Sequence, residues 1–174
     1  VNSTGAANTI GALTLAATTT SLTIDAAAKL TTGAVTNTIA AALTTLTVKG
    51  AGAVDLSTNA LESTVKTIDA SKAAGGVNLG VVSGDNVTFT GGEGNDRINM
   101  GTGLTTDDKL TGGNGVDTLA ISQAAITSDK TASINKAIEA QTGFEKLEIT
   151  NAVATGTVAS GETSALSIDA RGLV

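Results

Sequence analysis

This 174-residue chain contains no Cys, His, Pro, Trp or Tyr, and Phe89 and Phe144 are its only aromatic residues. Without large aromatic side chains it cannot fill an ordinary globular interior. A chain rich in Ala, Thr, Gly, Val and Leu suits a narrow, layered interior instead. Without Cys, no disulfide can staple it in any compartment. No apolar run approaches the ~20 residues of a membrane-spanning helix, and no signal-peptide or lipidation pattern occurs, so membrane insertion is not expected. Lys and Arg total 10 against 16 Asp and Glu, a net charge of −6. With no basic cluster, nucleic acid is excluded as a partner. What is present argues for folding: 41% of residues are hydrophobic and charge blocks are few, unlike a disordered chain. The length is enough for one domain with its own core. The chain opens at Val1 and stops after Arg171-Gly172-Leu173-Val174, and it reads as a segment of a longer protein.

Short stretches of alternating apolar and hydroxyl residues recur throughout: Leu13-Thr14-Leu15, Leu22-Thr23-Ile24, Leu46-Thr47-Val48, Thr67-Ile68-Asp69, Val87-Thr88-Phe89, Lys146-Leu147-Glu148-Ile149 and Leu166-Ser167-Ile168. Period-2 alternation predicts half-buried strands. Thr-Ile-Asp-Ala occurs at 23–26 and 67–70, and Ser-Ile-Asp-Ala at 167–170. Ile24, Val48, Ile68 and Phe89 step along at 24, 20 and 21 residues. That rhythm is close to one rung of a parallel β-helix. Secondary triplets at 28–30, 54–56 and 77–79 fill out the rungs, and Gly33, Gly50, Gly52, Gly75, Gly76 and Gly80 are placed for corners. An antiparallel sandwich could use the same strands, but the Asn-Gly and Asp-Gly pairs favoured by tight hairpins are few. One stretch differs. Between Ser128 and Gln141, Ile134, Ala137 and Ile138 fall at helical spacing, with Ser128 or Asp129 to cap the start and Gly143 to end it. The expected fold is all-β: a right-handed parallel β-helix or β-roll solenoid with one short covering α-helix, and Phe144 plugging the core.

Two near-copies of one nonapeptide lie 21 residues apart: Gly91-Gly92-Glu93-Gly94-Asn95-Asp96-Arg97-Ile98-Asn99 and Gly112-Gly113-Asn114-Gly115-Val116-Asp117-Thr118-Leu119-Ala120. Both fit G-G-x-G-x-D-x-U-x, a calcium-binding β-helix repeat. The glycines allow a tight turn whose carbonyls point inward. The Asp adds a carboxylate, and the resulting hard-oxygen set suits Ca²⁺. Two nonapeptides make a coil of 18 residues, so a spacing of 21 is one coil plus three residues, and the turns at 91–96 and 112–117 stack on one side. Gly91, Gly92, Glu93, Gly94 and Asp96 would then share an ion with Gly112, Gly113, Asn114, Gly115 and Asp117. A degenerate copy between them, Gly101-Thr102-Gly103 followed by Asp107-Asp108-Lys109-Leu110-Thr111, falls on the opposite side. There Gly101, Gly103 and Asp108 would form a partial site with Asp85. The alternative is that these are plain turns whose Asp residues cap backbone N–H groups. Without metal, Asp96 and Asp117 brought together across stacked turns would repel. Calcium would remove that repulsion and couple binding to folding.

Residues 87–149 resemble the RTX (hemolysin-type) calcium-binding repeat family. The order of Val87-Thr88-Phe89-Thr90-Gly91-Gly92, the second nonapeptide, and Gly143-Phe144-Glu145-Lys146-Leu147-Glu148 is similar to that in large bacterial surface-layer proteins. The resemblance implies type I secretion, folding outside the cell in calcium, and a place at the cell surface. It divides a single solenoid segment into β-helix rungs (1–86), a calcium β-roll (87–121), the helix (128–141) and further rungs (144–174).

The function expected first is therefore structural: a calcium-stabilised segment of a secreted surface-layer protein, partnered by copies of itself in a lattice or by neighbouring domains. The second is an adhesin or carbohydrate-binding module facing a cell-surface polysaccharide, although such faces usually carry aromatics or a basic groove. A third is ice binding by threonines stacked outward from Leu-Thr-Leu, Leu-Thr-Ile and Leu-Thr-Val. Catalysis is not expected. A calcium-dependent polysaccharide lyase needs a strong base beside the metal. Here His is absent, Arg97 and Arg171 are the only arginines, and the Lys nearest the turns is Lys109.

Overall fold

The computed structural model describes residues 1–11, 13–32, 43–58, 60–61, 63–82, 86–126 and 131–151. In chain order the strands are β1 (Asn2–Ser3), β2 (Asn8–Ile10), β3 (Ser21–Ala26), β4 (Leu30–Thr32), β5 (Thr45–Gly50), β6 (Val54–Leu56) and β7 (Thr67–Ala73). They continue with β8 (Val77–Val81), β9 (Thr88–Thr90), β10 (Arg97–Asn99), β11 (Lys109–Thr111) and β12 (Thr118–Ser122). A 3₁₀ turn (Gln123–Ala125) and helix α1 (Thr131–Glu139) then precede β13 (Lys146–Thr150). Every strand pairing is parallel, and the chain alternates between two sheets, ordered β1-β3-β5-β7-β9-β11 and β13-β12-β10-β8-β6-β4-β2. This is a two-sheet parallel β-solenoid with one short helix, as the sequence rhythm predicts.

Alternation decides which side chains go inside. In β3, Leu22, Ile24 and Ala26 are buried while Ser21 and Thr23 are exposed. Leu22 pairs with Leu46, Leu46 with Ile68, Ile68 with Phe89 and Phe89 with Leu110, giving one continuous inner column. Strands lie about 4.8 Å apart, so branched and small side chains stack directly on their own kind. Ile24 pairs with Val48, but Ile68 sits on Leu46 rather than on Val48. The step there is 22 residues (Thr45 to Thr67), not 20, and it widens to 23 (Lys49 to Lys72) where the register slips between Thr47 and Lys49. The two Thr-Ile-Asp-Ala copies are consequently offset by two residues.

Two further expectations need correction. Leu13-Thr14-Leu15 is not a strand; Leu13 and Leu15 instead lean on the core from an irregular segment. Gly80 lies buried within β8 rather than at a corner. Threonines do stack on the outer face of the first sheet, in the columns Ser21-Thr45-Thr67-Thr88-Lys109 and Thr23-Thr47-Asp69-Thr90-Thr111, but Lys109 and Asp69 interrupt them. Leu166-Ser167-Ile168, Gly33, Ser128 and Asp129 lie outside the described residues.

Helix α1 occupies the coil between β12 and β13. Thr118 pairs with Lys146, a step of 28 residues where the preceding coil, from Arg97 to Thr118, takes 21. Ile134, Ala137 and Ile138 are buried, as their spacing predicts. The fully buried Gln141 fastens the helix to the first sheet: its Nε2 donates to the Ala137 carbonyl (2.7 Å) and its Oε1 accepts the Leu110 N–H (2.7 Å). Phe144 is fully buried and stacks on Phe89, ring centres 6.5 Å apart.

Candidate metal centre

The nonapeptide turns lie on one edge of the solenoid, where the chain passes from the first sheet to the second. The turn at 91–96 joins β9 to β10, and the turn at 112–117 joins β11 to β12. They stack as their spacing requires. Gly91 N–H donates to Thr111, Asn114 N–H to Gly92 and Val116 N–H to the Asn95 side chain (2.8, 2.8 and 2.9 Å). A Cβ on Gly91 would coincide with the Gly112 carbonyl oxygen, and one on Gly112 with the Gly143 carbonyl oxygen. Only glycine lets these backbones approach so closely. The column Gly91-Gly112-Gly143 therefore extends the motif to a third, shorter turn at 143–145, which follows the helix.

The carboxylates form a ladder along this edge. Asp96 is buried; its Oδ1 accepts the Val77 N–H and its Oδ2 the Gly92 N–H, both at 2.7 Å. Asp117 is fully buried, and its Oδ1 accepts the Asp96 N–H at 2.7 Å. Asp117 N–H in turn donates to Glu145 Oε2 at 2.7 Å. Each carboxylate thus accepts the N–H of the residue one coil back in register. Asp117 Oδ2 has no partner, although it is buried. The two turns differ in backbone: Gly113 takes φ +106°, whereas its counterpart Gly92 is not in the positive-φ region. The Gly113 N–H accordingly does not supply the bond that Gly92 gives Asp96.

Burial pushes the Asp96 carboxyl up to about 6, against the pull of the Gly92 and Val77 N–H groups, with the negative charge of Asp117 adding to the rise. Burial also raises Asp117, opposed by the Asp96 N–H and assisted by Glu145. Removal from water disfavours the charged form, and stacked like charges add to that cost.

On the opposite edge, Gly101, Gly103 and Asp108 lie on the loop joining β10 to β11. Asp108 is buried and fully engaged: Oδ1 accepts the Val87 N–H (2.7 Å), and Oδ2 accepts the Thr105 N–H (2.8 Å) and hydroxyl (3.1 Å). Asp85, its expected companion, lies outside the described residues. Asp107 is exposed. A cleft of about 300 Å³ between this loop and α1 is lined by Thr102, Leu104, Thr105 and Ile134 among others, with no ionisable side chain.

Among the described residues, no three His, Cys, Asp or Glu side chains converge on one point. The ladder explains this: it supplies one carboxylate per coil, so an ion between two coils would meet two carboxylates and draw its remaining donors from carbonyls. Hard oxygen donors of this kind, with an unsatisfied carboxylate oxygen among them, fit Ca²⁺. Asp117 would hold the ion, with the Gly143 carbonyl beside it, while Glu93 and Asn114 bond one another (3.0 Å) across the two turns. Sequence reasoning missed one participant and one neighbouring ion pair. Glu145 occupies the register position of the motif Asp, because Lys146 pairs with Thr118 and Thr118 with Arg97. Its only sequence signal was Gly143 two residues earlier, displaced by the helix insertion. The ion pair is that of Arg97, whose Nε and Nη2 grip both Glu148 oxygens (2.8 and 3.0 Å), spanning β12 to join β10 to β13. Among the described residues, no helix is long and apolar enough to cross a membrane. No family model, curated protein or solved structure matches this chain.

Proposed function

We propose that the chain is a calcium-stabilised structural segment of a secreted bacterial surface-layer protein of the RTX repeat kind, one that forms or spaces an extracellular lattice. The observation that carries the calcium reading is the buried Asp117 carboxylate, with one oxygen unpartnered at the edge where glycine turns stack. An anionic oxygen removed from water without a partner is costly, and a bound divalent cation supplies the missing charge. Parallel coils stacked on a metal-bridged edge suit a load-bearing, repeating role. The surface-layer assignment is supported by the order of motifs along residues 87–149, and the partners it implies are other copies of the chain or neighbouring domains.

The test is a calcium titration followed by circular dichroism and melting. Affinity in the range of extracellular modules, Kd on the order of 10⁻⁴–10⁻³ M, is expected, and calcium at ~10 times Kd should add about 1.4 kcal/mol per site. Asp117→Ala should lose this calcium-dependent gain, whereas Asp107→Ala at an exposed position should keep it. A melting temperature indifferent to both calcium and chelator removes the calcium reading. A full-length protein that forms no ordered sheets in calcium removes the lattice reading.

A further inference from the structure

We infer that the cation is held one coil beyond the twin nonapeptides, between Asp117 and Glu145, where it locks the helix-bearing coil onto the solenoid. This rests on the calcium reading above and gives it a location that the motif alone does not.

The two nonapeptide aspartates are not equivalent. Both oxygens of Asp96 are taken by backbone N–H groups, so the first turn is closed without an ion. At the second turn Gly113 has turned over to φ +106°, and Asp117 Oδ2 is buried with nothing to accept from. The next carboxylate up the ladder is Glu145, tied to Asp117 through its N–H. Glu145 is exposed, so its carboxylate can adjust to an ion without moving the backbone. A neutral third donor is close by. The space beside Gly112 is filled by the Gly143 carbonyl oxygen, and the Asp117 Cβ lies within 2.8 Å of the same point. Two carboxylates linked through one backbone N–H, a carbonyl beside Asp117 and one unsatisfied carboxylate oxygen are the donors that a hard divalent cation would draw together. The neighbouring guanidinium does not compensate these charges, since Arg97 is committed to Glu148.

The location has a structural consequence. Residues 123–126 and 131–145 leave the strand-to-strand path of the other coils, and among the described residues they meet the first sheet through the Thr111–Thr142 bridge, Gln141 and the Phe89–Phe144 stack. A cation joining Asp117 to Glu145 would fix the point where that excursion rejoins the second sheet at β13.

The experiment is calorimetric titration of the whole chain with CaCl₂, alongside hydrogen exchange over residues 131–150. Glu145→Gln is the informative variant, because Gln keeps an acceptor for the Asp117 N–H while losing the charge. Glu93→Gln is the control in the first turn. We expect Glu145→Gln to weaken calcium binding by about tenfold or more and Glu93→Gln to change it less than about twofold. Calcium should slow exchange across 131–150 in the wild type and not in Glu145→Gln. If Glu145→Gln binds like the wild type while Glu93→Gln is weakened, the ion sits between the twin turns; the location is then wrong and the calcium reading stands. If the wild type itself takes up no calcium, both fall. A purely structural Glu145 would shift calcium-free melting and leave affinity unchanged, which also overturns the location.

Discussion

At the scale of single residues, one bond recurs at the corners from Val77 onward. A side-chain oxygen accepts the backbone N–H of the residue one coil back in register: Asp96 from Val77, Asp117 from Asp96, Glu145 from Asp117, Asp108 from Val87 and Gln141 from Leu110. At these corners the side chain takes the place of a backbone carbonyl, and the N–H would otherwise be buried without a partner. The Asp positions of the motif therefore serve as backbone caps as well as candidate metal ligands. Capping buried N–H groups with carboxylates has an acid–base consequence. Asp96 has a folded value of about 6 against an ordinary 3.8, so between those values the folded state binds more protons than the unfolded one. Calcium-free stability from Asp96 is therefore greatest below the unfolded value and falls as pH rises through the folded one, by about 2–3 kcal/mol at most. Asp117 shifts the same way. Glu148, lowered chiefly by its hydrogen bond to Arg97, works oppositely, but it is largely exposed and screened. In calcium-free buffer the chain should melt higher near about pH 5 than near about pH 7.5, and calcium should narrow that gap by favouring the ionised carboxylates. A calcium-free melting temperature that climbs over the same interval would contradict this account.

At the scale of elements, the helical coil is the exception that the rest of the solenoid has to accommodate. Its attachment runs through Gln141, whose two bonds span α1 and β11. Gln141→Ala leaves the Leu110 N–H buried and unbonded and opens a cavity, at a cost of about 2–4 kcal/mol. Urea unfolding should show that loss. Hydrogen exchange should then rise first in α1 and β11 while β3 and β5 stay protected; a uniform rise would mean that the coils do not yield separately. The same elements show what was legible in the sequence. Strands at 22–24, 46–48, 54–56, 67–69, 77–79 and 146–149 were readable because one face is buried, and burial writes a period of two. Leu13-Thr14-Leu15 has that period too, but alternation does not say whether a strand neighbour exists. The slip beside Val48 was invisible, because a bulge alters pairing without altering composition. The twin turns were legible because glycines at close backbone contacts cannot be replaced by other residues. Glu145 was hidden because seven extra residues of helical coil moved it out of the repeat, and the open oxygen of Asp117 depends on the φ of Gly113, which no pattern records.

At the scale of the molecule, each coil contacts chiefly the coils before and after it, so stability is a sum of neighbouring terms rather than the property of one central core. A gain of about 1.4 kcal/mol from a bound ion is small beside the whole, yet it acts at one junction, and in a chain of junctions the weakest sets the order of failure. The sheets run across the long axis of the stack, with every strand hydrogen-bonded to the strand one coil away. Tension applied at the two ends therefore falls on one strand pair at a time, peeling rather than shearing. Each detached coil of 21 residues, such as Arg97 to Thr118, would pay out about 70 Å of chain. A single molecule stretched between a tip and a surface should give a train of low force drops spaced by coil length, widest at the 28-residue helical coil, with the drop at the Asp117–Glu145 junction raised by calcium. The stack would then behave as a shock absorber with one ion-controlled notch.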